Sequence, residues 1–238
     1  GATLLLATNG PLVVNPSLMK EMPFDPLKDL DPITQVASIP LVLAVHASVP
    51  ARTLPELIAL AKAKPGQLNF ASSGVGQSLH LAGELFKSMA GIDIVHVPYK
   101  AMAQGVLDML SGRANMTITG YPAIASQMST GKFRVLATVN PRRSEFLPDI
   151  PTFAEAGLPG VELVSWFGII APAGTPRPII NRLNAEFNRA LKRPDVRERF
   201  AQQGLETSGG TPEEMARRIR TDYERYSRIV KATGIKGD

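Results

Sequence analysis

The residues of this chain whose types and spacing could do chemistry are concentrated in one turn. In the stretch NFASSGVGQSLHLAGELF, a strand-like segment runs through glycine and serine residues into a helical pattern. A strand, a glycine turn and a helix start together point free backbone N–H groups and the positive end of the helix dipole towards an anion. Gly74 and Gly76 would let the backbone approach such a ligand closely. The hydroxyl groups of Ser72, Ser73 and Ser78 add further donors.

The spacing of this turn favours a small anion over a nucleotide. A phosphate-binding loop of the G-x-x-x-x-G-K-[ST] type needs a lysine, and none follows these glycines. A dinucleotide fingerprint needs a third glycine where Leu79 stands, and Asp93 precedes its strand instead of ending it. A carboxylate fits better because it needs only a few neutral donors and no metal. A tight turn without a ligand is the alternative, and the spacing alone does not separate the two.

The three histidines do not form a metal site. His80 falls in the first turn of the helix, where the dipole disfavours a charged ring, so a neutral imidazole can donate a hydrogen bond to a ligand or to the turn. A packed or surface histidine is the alternative at that position. His46 and His96 lie in strand-like segments without metal-ligand spacing, and both are assigned structural or incidental roles.

The sequence contains no recognisable catalytic constellation. It has neither a G-x-S-x-G elbow nor an H-E-x-x-H motif, and no serine has activating neighbours. Glu84 and Asp108 are expected to face solvent from helices. The absence of cysteine excludes disulfides, thiolate nucleophiles and zinc-thiolate sites. We therefore predict that the chain is not an enzyme and binds neither a cofactor nor a metal. An active site assembled from distant positions stays an alternative.

Composition narrows the class of partner. The 238 residues are 44% hydrophobic and 20% charged, as in an ordinary globular protein. The net charge of +5 suits anionic partners. Aromatic residues make up only 6% and basic residues alternate with acidic ones, so a nucleic-acid groove is not supported. No apolar run approaches the ~20 residues of a membrane span, and the start GATLLLATNG lacks the features of a signal peptide.

Hydrophobic periods alternate between strand and helix along the chain, which predicts βαβ units with mainly parallel sheets in an α/β fold. The strand patterns are TLLLAT, ITQVASIPLVLAVHAS, LNFASS, IDIVHVPY, ANMTIT, FRVLAT and SWFGIIAPAG. Helices are predicted after the capping boxes at Thr53 and Thr211, after the glycine turn, and in QGVLDMLSG, AIASQMSTG and the segment from Pro176. The helix after the turn should end at Gly91, with this inward face: Leu79, Ala82, Leu85, Phe86 and Met89.

Five blocks in order resemble the Bug family, the TctC-like periplasmic solute receptors of tripartite tricarboxylate transporters. The blocks are TLLLATNGPLVVNPSL, PFDPLKDLDPITQVASIPLVLAV, ASSGVGQSLHLAGELFKSMAGIDIVHVPYK, PDIPTFAEAGLPGVELVSWFGIIAPAGTPRPIINRLNAEFNRAL and TPEEMARRI. They cover nearly the whole chain. The resemblance implies two lobes of the type II periplasmic-binding-protein kind, joined by two crossing strands near TQVASIPLVL and VELVSWFGII. Lobe one would comprise residues 1–38 and 164–238, and lobe two residues 39–163.

The resemblance also implies which residues bind the ligand. Thr8 and Asn9 match a family loop that faces the cleft, and Tyr99 and Lys100 match a strand end at another cleft edge. Trp166 matches an aromatic position beside the second crossing, where simple packing is the strongest alternative. The residues that match the loop turned towards the ligand carboxylate are Ser72, Ser73, Gly74, Gly76, Ser78 and His80.

The chain departs from the family pattern at its start and in one loop. Family members carry a further N-terminal segment before the TLLL strand, with a secretion signal and a first strand whose loop forms one jaw of the carboxylate clamp. Its absence would leave a sheet edge unpaired, which predicts self-association through lobe one. Ala101 replaces a usual glycine, and Asn115 and Thr119 stand where acids are common, with Tyr121 in the same loop. These differences bear on which acid binds.

The function implied by the resemblance is that of a periplasmic solute-binding protein. It would capture a small carboxylate by hinge closure and deliver it to the membrane permease of a tripartite transporter. A ligand-sensing or protein-interaction module and a truncated remnant without binding are the alternatives, and an enzyme on the same fold is the least supported.

Overall fold

The computed structural model describes residues 3–235, which divide into two compact units. Unit one comprises the chain up to Ile39 together with the chain from Ser165 onward, and unit two comprises Pro40–Val164. The chain therefore passes between the units twice, once within TQVASIPLVL and once within VELVSWFGII. No helix in residues 3–235 is both long and apolar enough to span a membrane.

Strands and helices alternate through both units, and the predicted α/β class is confirmed. The strands of the described residues are β1 (Leu5–Thr8), β2 (Leu30–Ile39), β3 (Leu41–His46), β4 (Asn69–Ser72), β5 (Val95–Pro98), β6 (Met116–Gly120), β7 (Phe133–Thr138), β8 (Ser165–Pro172) and β9 (Glu206–Thr207). The α-helices are α1 (Asn15–Leu18), α2 (Leu54–Ala63), α3 (Ser78–Ala90), α4 (Met102–Leu110), α5 (Pro122–Ala125), α6 (Arg177–Leu191), α7 (Pro194–Gln202) and α8 (Pro212–Thr233). A π-helical segment, Gly10–Val14, precedes α1, and a 3-10 turn, Met128–Thr130, follows α5.

Unit one contains a four-stranded sheet in the order β1-β8-β2-β9. β8 is antiparallel to β1 and β2, with Leu5 opposite Ile170 and Ile39 opposite Ser165, and β9 is antiparallel to β2. The prediction of mainly parallel sheets is wrong for this unit, since every strand pair among its described residues is antiparallel. The reason is topological: β2 leads the chain out of the unit and β8 leads it back in beside β2.

Unit two contains a five-stranded sheet in the order β5-β4-β6-β3-β7. β4 is parallel to β5 and β6, whereas β3 is antiparallel to β6 and β7. The predicted parallel pairing therefore holds only for the three strands that α3 and α4 connect. Because these strands are parallel, they end at the same edge of the sheet, at Ser72, Pro98 and Gly120. In α/β sheets this edge is where ligands bind.

The buried face of α3 differs from the predicted one. Met89 is 46% exposed. The residues that α3 buries are His80, Leu81, Ala82, Gly83, Phe86 and Ala90. The helix turns this face inward because Gly83 has no side chain and lies directly against the Phe70 ring of β4. The helix ends as predicted, with Gly91 in the left-handed conformation at a φ of 59°.

Sequence patterns missed several short helical segments and found the long ones. The π-helical segment and α1 carry Pro11 and Pro16, which indicate a loop in a sequence. α7 begins with Pro194 only a few residues after α6, so the two helices read as one pattern with an interruption. The predicted capping box of α8 is present, because the Thr211 hydroxyl accepts from the Glu214 N–H while the Glu214 carboxylate accepts from the Thr211 N–H.

Candidate functional site

The segment between β4 and α3, residues 72–78, is called the glycine-serine turn below. Ser72 ends β4 and is fully buried, and its hydroxyl oxygen accepts from the Gly74 N–H at 3.3 Å. Gly74 and Gly76 have φ angles of 121° and 74°, a region that side chains other than glycine rarely adopt. The two glycines are therefore required by the backbone path of the turn.

Two stacked histidines lie against this turn. The rings of His80 and His96 are 3.9 Å apart and 14° from parallel, and His96 stacks in turn on Phe70 at 4.8 Å. His80 Nδ1 accepts a hydrogen bond from the Gly76 N–H at 3.1 Å, and His96 Nε2 lies 2.6 Å from the Ser72 hydroxyl oxygen. His80 was predicted to donate to a ligand or to the turn. Donation to the turn is wrong, because Nδ1 accepts there, while donation to a ligand stays a prediction.

Burial keeps both rings neutral. Burial, followed by the charge of Lys87, lowers the pKa of His80. Burial lowers the pKa of His96 to about 4, with smaller contributions from His80 and Lys87. An unfolded histidine titrates near 6.5, so at the His96 position the unfolded state binds more protons between pH 6.5 and about 4. The contribution of His96 to stability is therefore present at neutral pH and is lost as the pH falls through this window. The lowered pKa of His80 acts in the same direction below pH 6.5.

The glycine-serine turn keeps donors that face no protein acceptor. Within residues 3–235, the hydroxyls of Ser73 and Ser78 have no hydrogen-bond partner, and both residues are half-buried. In the same part of the chain, the backbone N–H groups of Ser78 and Leu79 also have no acceptor, as expected for the first turn of a helix. These groups lie next to Gly74 and Gly76 in the chain, and unpaired hydroxyl and amide donors are what a carboxylate needs.

Tyr99 and Lys100 lie beside the glycine-serine turn. The Tyr99 N–H donates to the Ser72 carbonyl at 3.0 Å, so the ends of β4 and β5 are joined there. The Tyr99 hydroxyl donates to the Asp108 carboxylate at 2.8 Å, and Arg113 donates to the other oxygen of Asp108. Asp108 was expected to face solvent, and instead it fixes the Tyr99 ring. The Lys100 side chain is exposed.

The predicted site residues of unit one also lie together. Thr8 is opposite Phe167 in the β1–β8 pairing, so the end of β1 meets the start of β8 beside Trp166. Asn9 is buried, and its amide donates to the Tyr226 hydroxyl at 3.3 Å. Trp166 has no exposed surface, and its indole N–H donates to the Asp222 carboxylate at 2.8 Å. The structure thus supports packing for Trp166, while ligand contacts of Thr8 and Asn9 stay predictions.

α8 supplies the hydrogen-bond partners of both Asn9 and Trp166. Asp222 and Tyr226 are one helical turn apart on its buried side. Burial raises the pKa of Asp222, while the bond from Trp166 and the charges of Arg218 and Arg225 oppose this. Burial, together with the Asp222 charge, raises the pKa of Tyr226. The carboxylate is therefore an internal acceptor that holds the start of β8 against α8.

Sequence reasoning set His96 and Glu84 aside, and the structure brings both to the turn. The available signal for His96 was strand pairing, because parallel pairing of β4 with β5 places His96 opposite Phe70. Glu84 was expected to face solvent, but its side chain is mostly buried, with one oxygen 3.9 Å from His80 Nε2. Residues 3–235 contain no group of three or more His, Cys, Asp or Glu residues that could hold a metal ion.

Comparisons with known proteins identify the family of the chain. A family model described as "Tripartite tricarboxylate transporter family receptor" matches residues 1–235. The chain is 38% identical to protein BugT of Bordetella pertussis over 237 residues, which are 99% of this chain and 73% of that protein. The resemblance to the Bug family is thereby confirmed.

Solved structures of similar proteins agree with the fold. Rpa4515 of R. palustris, solved with adipate, is 35% identical with a TM-score of 0.84 over 99% of this chain and 79% of that one. MatC from Rhodopseudomonas palustris, solved with bound malate, is 26% identical with a TM-score of 0.78 over 96% of this chain and 79% of that one. Other matching structures are of periplasmic proteins. These relatives are solute-binding receptors of two-lobe α/β fold and not enzymes. The chain belongs to the tripartite tricarboxylate transporter receptor family.

Proposed function

We propose that this chain captures a small carboxylate and that the glycine-serine turn binds a carboxylate group of that ligand. The observation that carries the proposal is the cluster of partnerless donors at the start of α3, formed by the Ser73 and Ser78 hydroxyls and the helix-start amides. The positive end of the α3 dipole favours an anion at this position. Adipate in Rpa4515 and malate in MatC, both dicarboxylates, support an organic acid as the ligand.

The donors of the turn are neutral, so they select a ligand by hydrogen-bond geometry and leave little buried charge when the site is empty. The exposed Lys100 beside the turn and the net charge of +5 add long-range attraction for acids. A carboxylate needs no metal to bind in this way. Ligand contacts of Tyr99, Lys100, Thr8 and Asn9 are part of the proposal, and their effects are expected to be smaller than that of Ser73.

Isothermal titration calorimetry with adipate, malate and citrate tests the binding site. We expect at least one of these acids to bind, and Ser73→Ala to weaken its binding about tenfold, because one hydrogen bond to a charged group contributes about 1.5 kcal/mol. Ser88→Ala, at an exposed position on the same helix, is the matched control and should bind as wild type does. Equal affinities for wild type and Ser73→Ala would place the ligand elsewhere.

The biological role that we propose is that of a receptor that delivers this acid to the membrane permease of a tripartite transporter in the periplasm. The family description and the periplasmic proteins among the matching structures support this role. Uptake of the bound acid by vesicles that contain the permease should require the chain. Uptake that does not depend on it would favour the sensing or protein-interaction alternative. Hinge closure, which the resemblance implies, stays a prediction.

Self-association through the sheet of unit one also stays a prediction. β1 is an end strand of that sheet, and Leu5 and Leu6 are 48% and 61% exposed. An unpaired apolar edge strand is a template for pairing with another chain. Light scattering of the purified chain tests this point, and a monodisperse monomer would contradict it.

A further inference from the structure

We propose that His80 and His96 are positioning residues that hold the glycine-serine turn in its donor-presenting shape, and that His80 does so only as a neutral ring. This inference rests on the proposed function, since it concerns the same turn. It assigns a role to the two stacked rings that the direct ligand contacts leave unexplained, and it links acid binding to pH.

The bond between His80 and Gly76 fixes the middle of the turn. Gly76 is buried, and its N–H points at His80 Nδ1 from 3.1 Å. A lone pair on Nδ1 is necessary for this bond, because a protonated Nδ1 would place two N–H groups face to face. The Gly76 amide is therefore taken by the protein and is not a donor to the ligand. The bond instead orients the neighbouring Ser73 and Ser78 groups.

His96 supports this arrangement from the strand side. Its Nε2 lies 2.6 Å from the Ser72 hydroxyl oxygen, which in turn accepts from the Gly74 N–H. The two side chains thus anchor both glycines of the turn, His80 through Gly76 and His96 through Ser72 and Gly74. The 3.9 Å stack joins the two anchors, and Phe70 also stacks on His96, at 4.8 Å.

A second arrangement is available to a protonated His80. Its Nε2 lies 3.9 Å from Glu84 Oε1, which is beyond hydrogen-bond distance and within range of an ion pair. Protonation would remove the acceptor for Gly76 and draw the ring towards Glu84, so the turn would lose its anchor. The charged groups that act on the ring are Glu84 and Lys87 of α3 and, once protonated, His96 of β5. Lys87 itself is paired with Asp93 at 3.8 Å.

Acid has two opposing effects on carboxylate binding, and their balance decides whether binding weakens or strengthens at low pH. A positive ring near the turn would by itself attract a carboxylate and strengthen binding at low pH. The loss of the Gly76 anchor would weaken it. Burial lowers the pKa of both histidines, which shows that their environment disfavours the charged form. Glu84 lies beside Nε2 of the ring and offsets its positive charge, so the loss of the Gly76 anchor should dominate. We therefore expect binding to weaken as the pH falls below 6.5, the ordinary value for histidine.

Three variants separate positioning from simple packing. His80→Asn places an oxygen acceptor near the Nδ1 position and does not titrate. His80→Phe keeps a ring on the stack and has no acceptor. His96→Gln keeps a polar group near the Nε2 position. Each is titrated with adipate, malate and citrate between pH 7.5 and 5, with thermal melting as the check that the variant is folded.

At pH 7.5 we expect His80→Asn and His96→Gln to bind within about threefold of wild type and His80→Phe to bind at least tenfold more weakly. Between pH 7.5 and 5, wild type should lose at least about threefold more affinity than His80→Asn does, because the lowered pKa of His80 leaves only part of the rings charged at pH 5. Because the probes also titrate in this range, the difference between the two proteins is the quantity of interest. The proposal would be overturned if His80→Phe bound the acid as tightly as wild type does at pH 7.5. It would also be overturned if wild type and His80→Asn had identical pH profiles, or if wild type bound more tightly in acid.

Nitrogen-15 NMR of the ligand-free protein tests the positioning role even if none of the three acids binds. We expect His80 to carry its proton on Nε2 at pH 7.5, and the Gly76 amide signal to shift with the protonation of His80 on acidification. A His80 ring that is protonated on Nδ1 at pH 7.5 would overturn the inference. Failure of all acids to bind, with the expected NMR result, would contradict the proposed function alone.

Discussion

Gly83→Ala is expected to lower the free energy of unfolding by about 3 kcal/mol, although alanine is the better helix former. A Cβ atom at this position would lie 2.2 Å from one carbon of the Phe70 ring and 2.7 Å from two others. The ring has little room to move, because Phe70 is buried and stacks on His96. The substitution must therefore push α3 away from β4 or displace the histidine stack, and it should weaken carboxylate binding too.

Urea unfolding followed by circular dichroism measures this effect. Ser88→Ala, at an exposed position of α3, is the control for the general gain in helix propensity and should be neutral or slightly stabilising. Phe70→Leu should recover part of the loss when it is combined with Gly83→Ala, because a smaller side chain makes room for the added methyl group. A Gly83→Ala protein as stable as wild type would show that the helix and strand are not closely packed.

Asp222→Ala is the second large change, with an expected loss of about 2–3 kcal/mol in the free energy of unfolding. The substitution leaves the indole N–H of the fully buried Trp166 without its acceptor. It also leaves a cavity beside Tyr226. The loss is limited because the wild-type carboxylate is itself costly to bury, as the raised pKa of Asp222 shows.

Asp222→Asn is the matched variant, since it keeps an oxygen acceptor and removes the charge. We expect it to lose less stability than Asp222→Ala at pH 7. The pKa of Asp222 is raised above 3.8, so the folded state binds more protons than the unfolded state above that pH. Wild type should therefore lose stability relative to Asp222→Asn as the pH rises from 3.8 towards neutrality. Parallel stability curves for the two proteins would contradict a buried charge at this position.

Features with local signals could be predicted from the sequence. The end of α3 at Gly91 requires only a left-handed residue, and the start of α8 at Thr211 requires only a capping box. The glycine-serine turn was recognisable because Gly74 and Gly76 separate a strand pattern from a helix pattern. Pro40 separates β2 from β3, at the point where the chain passes from unit one to unit two.

Features that depend on distant partners could not be predicted in this way. The role of His96 follows from its position opposite Phe70 in a parallel pair, and no local pattern contains that register. The inward face of α3 is set by the Phe70 ring against Gly83, so helical periodicity selected Met89 instead of Ala90. The antiparallel sheet of unit one follows from the return of β8 beside β2, which the alternation of strand and helix patterns does not encode.

The insertion of unit two within unit one has a consequence for the order of folding. Unit two is one continuous segment, whereas β1 must wait for β8, which is synthesised after all of unit two. Val139 holds the two ends of unit two together, because its N–H donates to the Leu41 carbonyl and its carbonyl accepts from the Leu163 N–H. Once unit two has folded, the halves of unit one leave it from neighbouring points. The long intervening segment then costs no more chain entropy than a short loop.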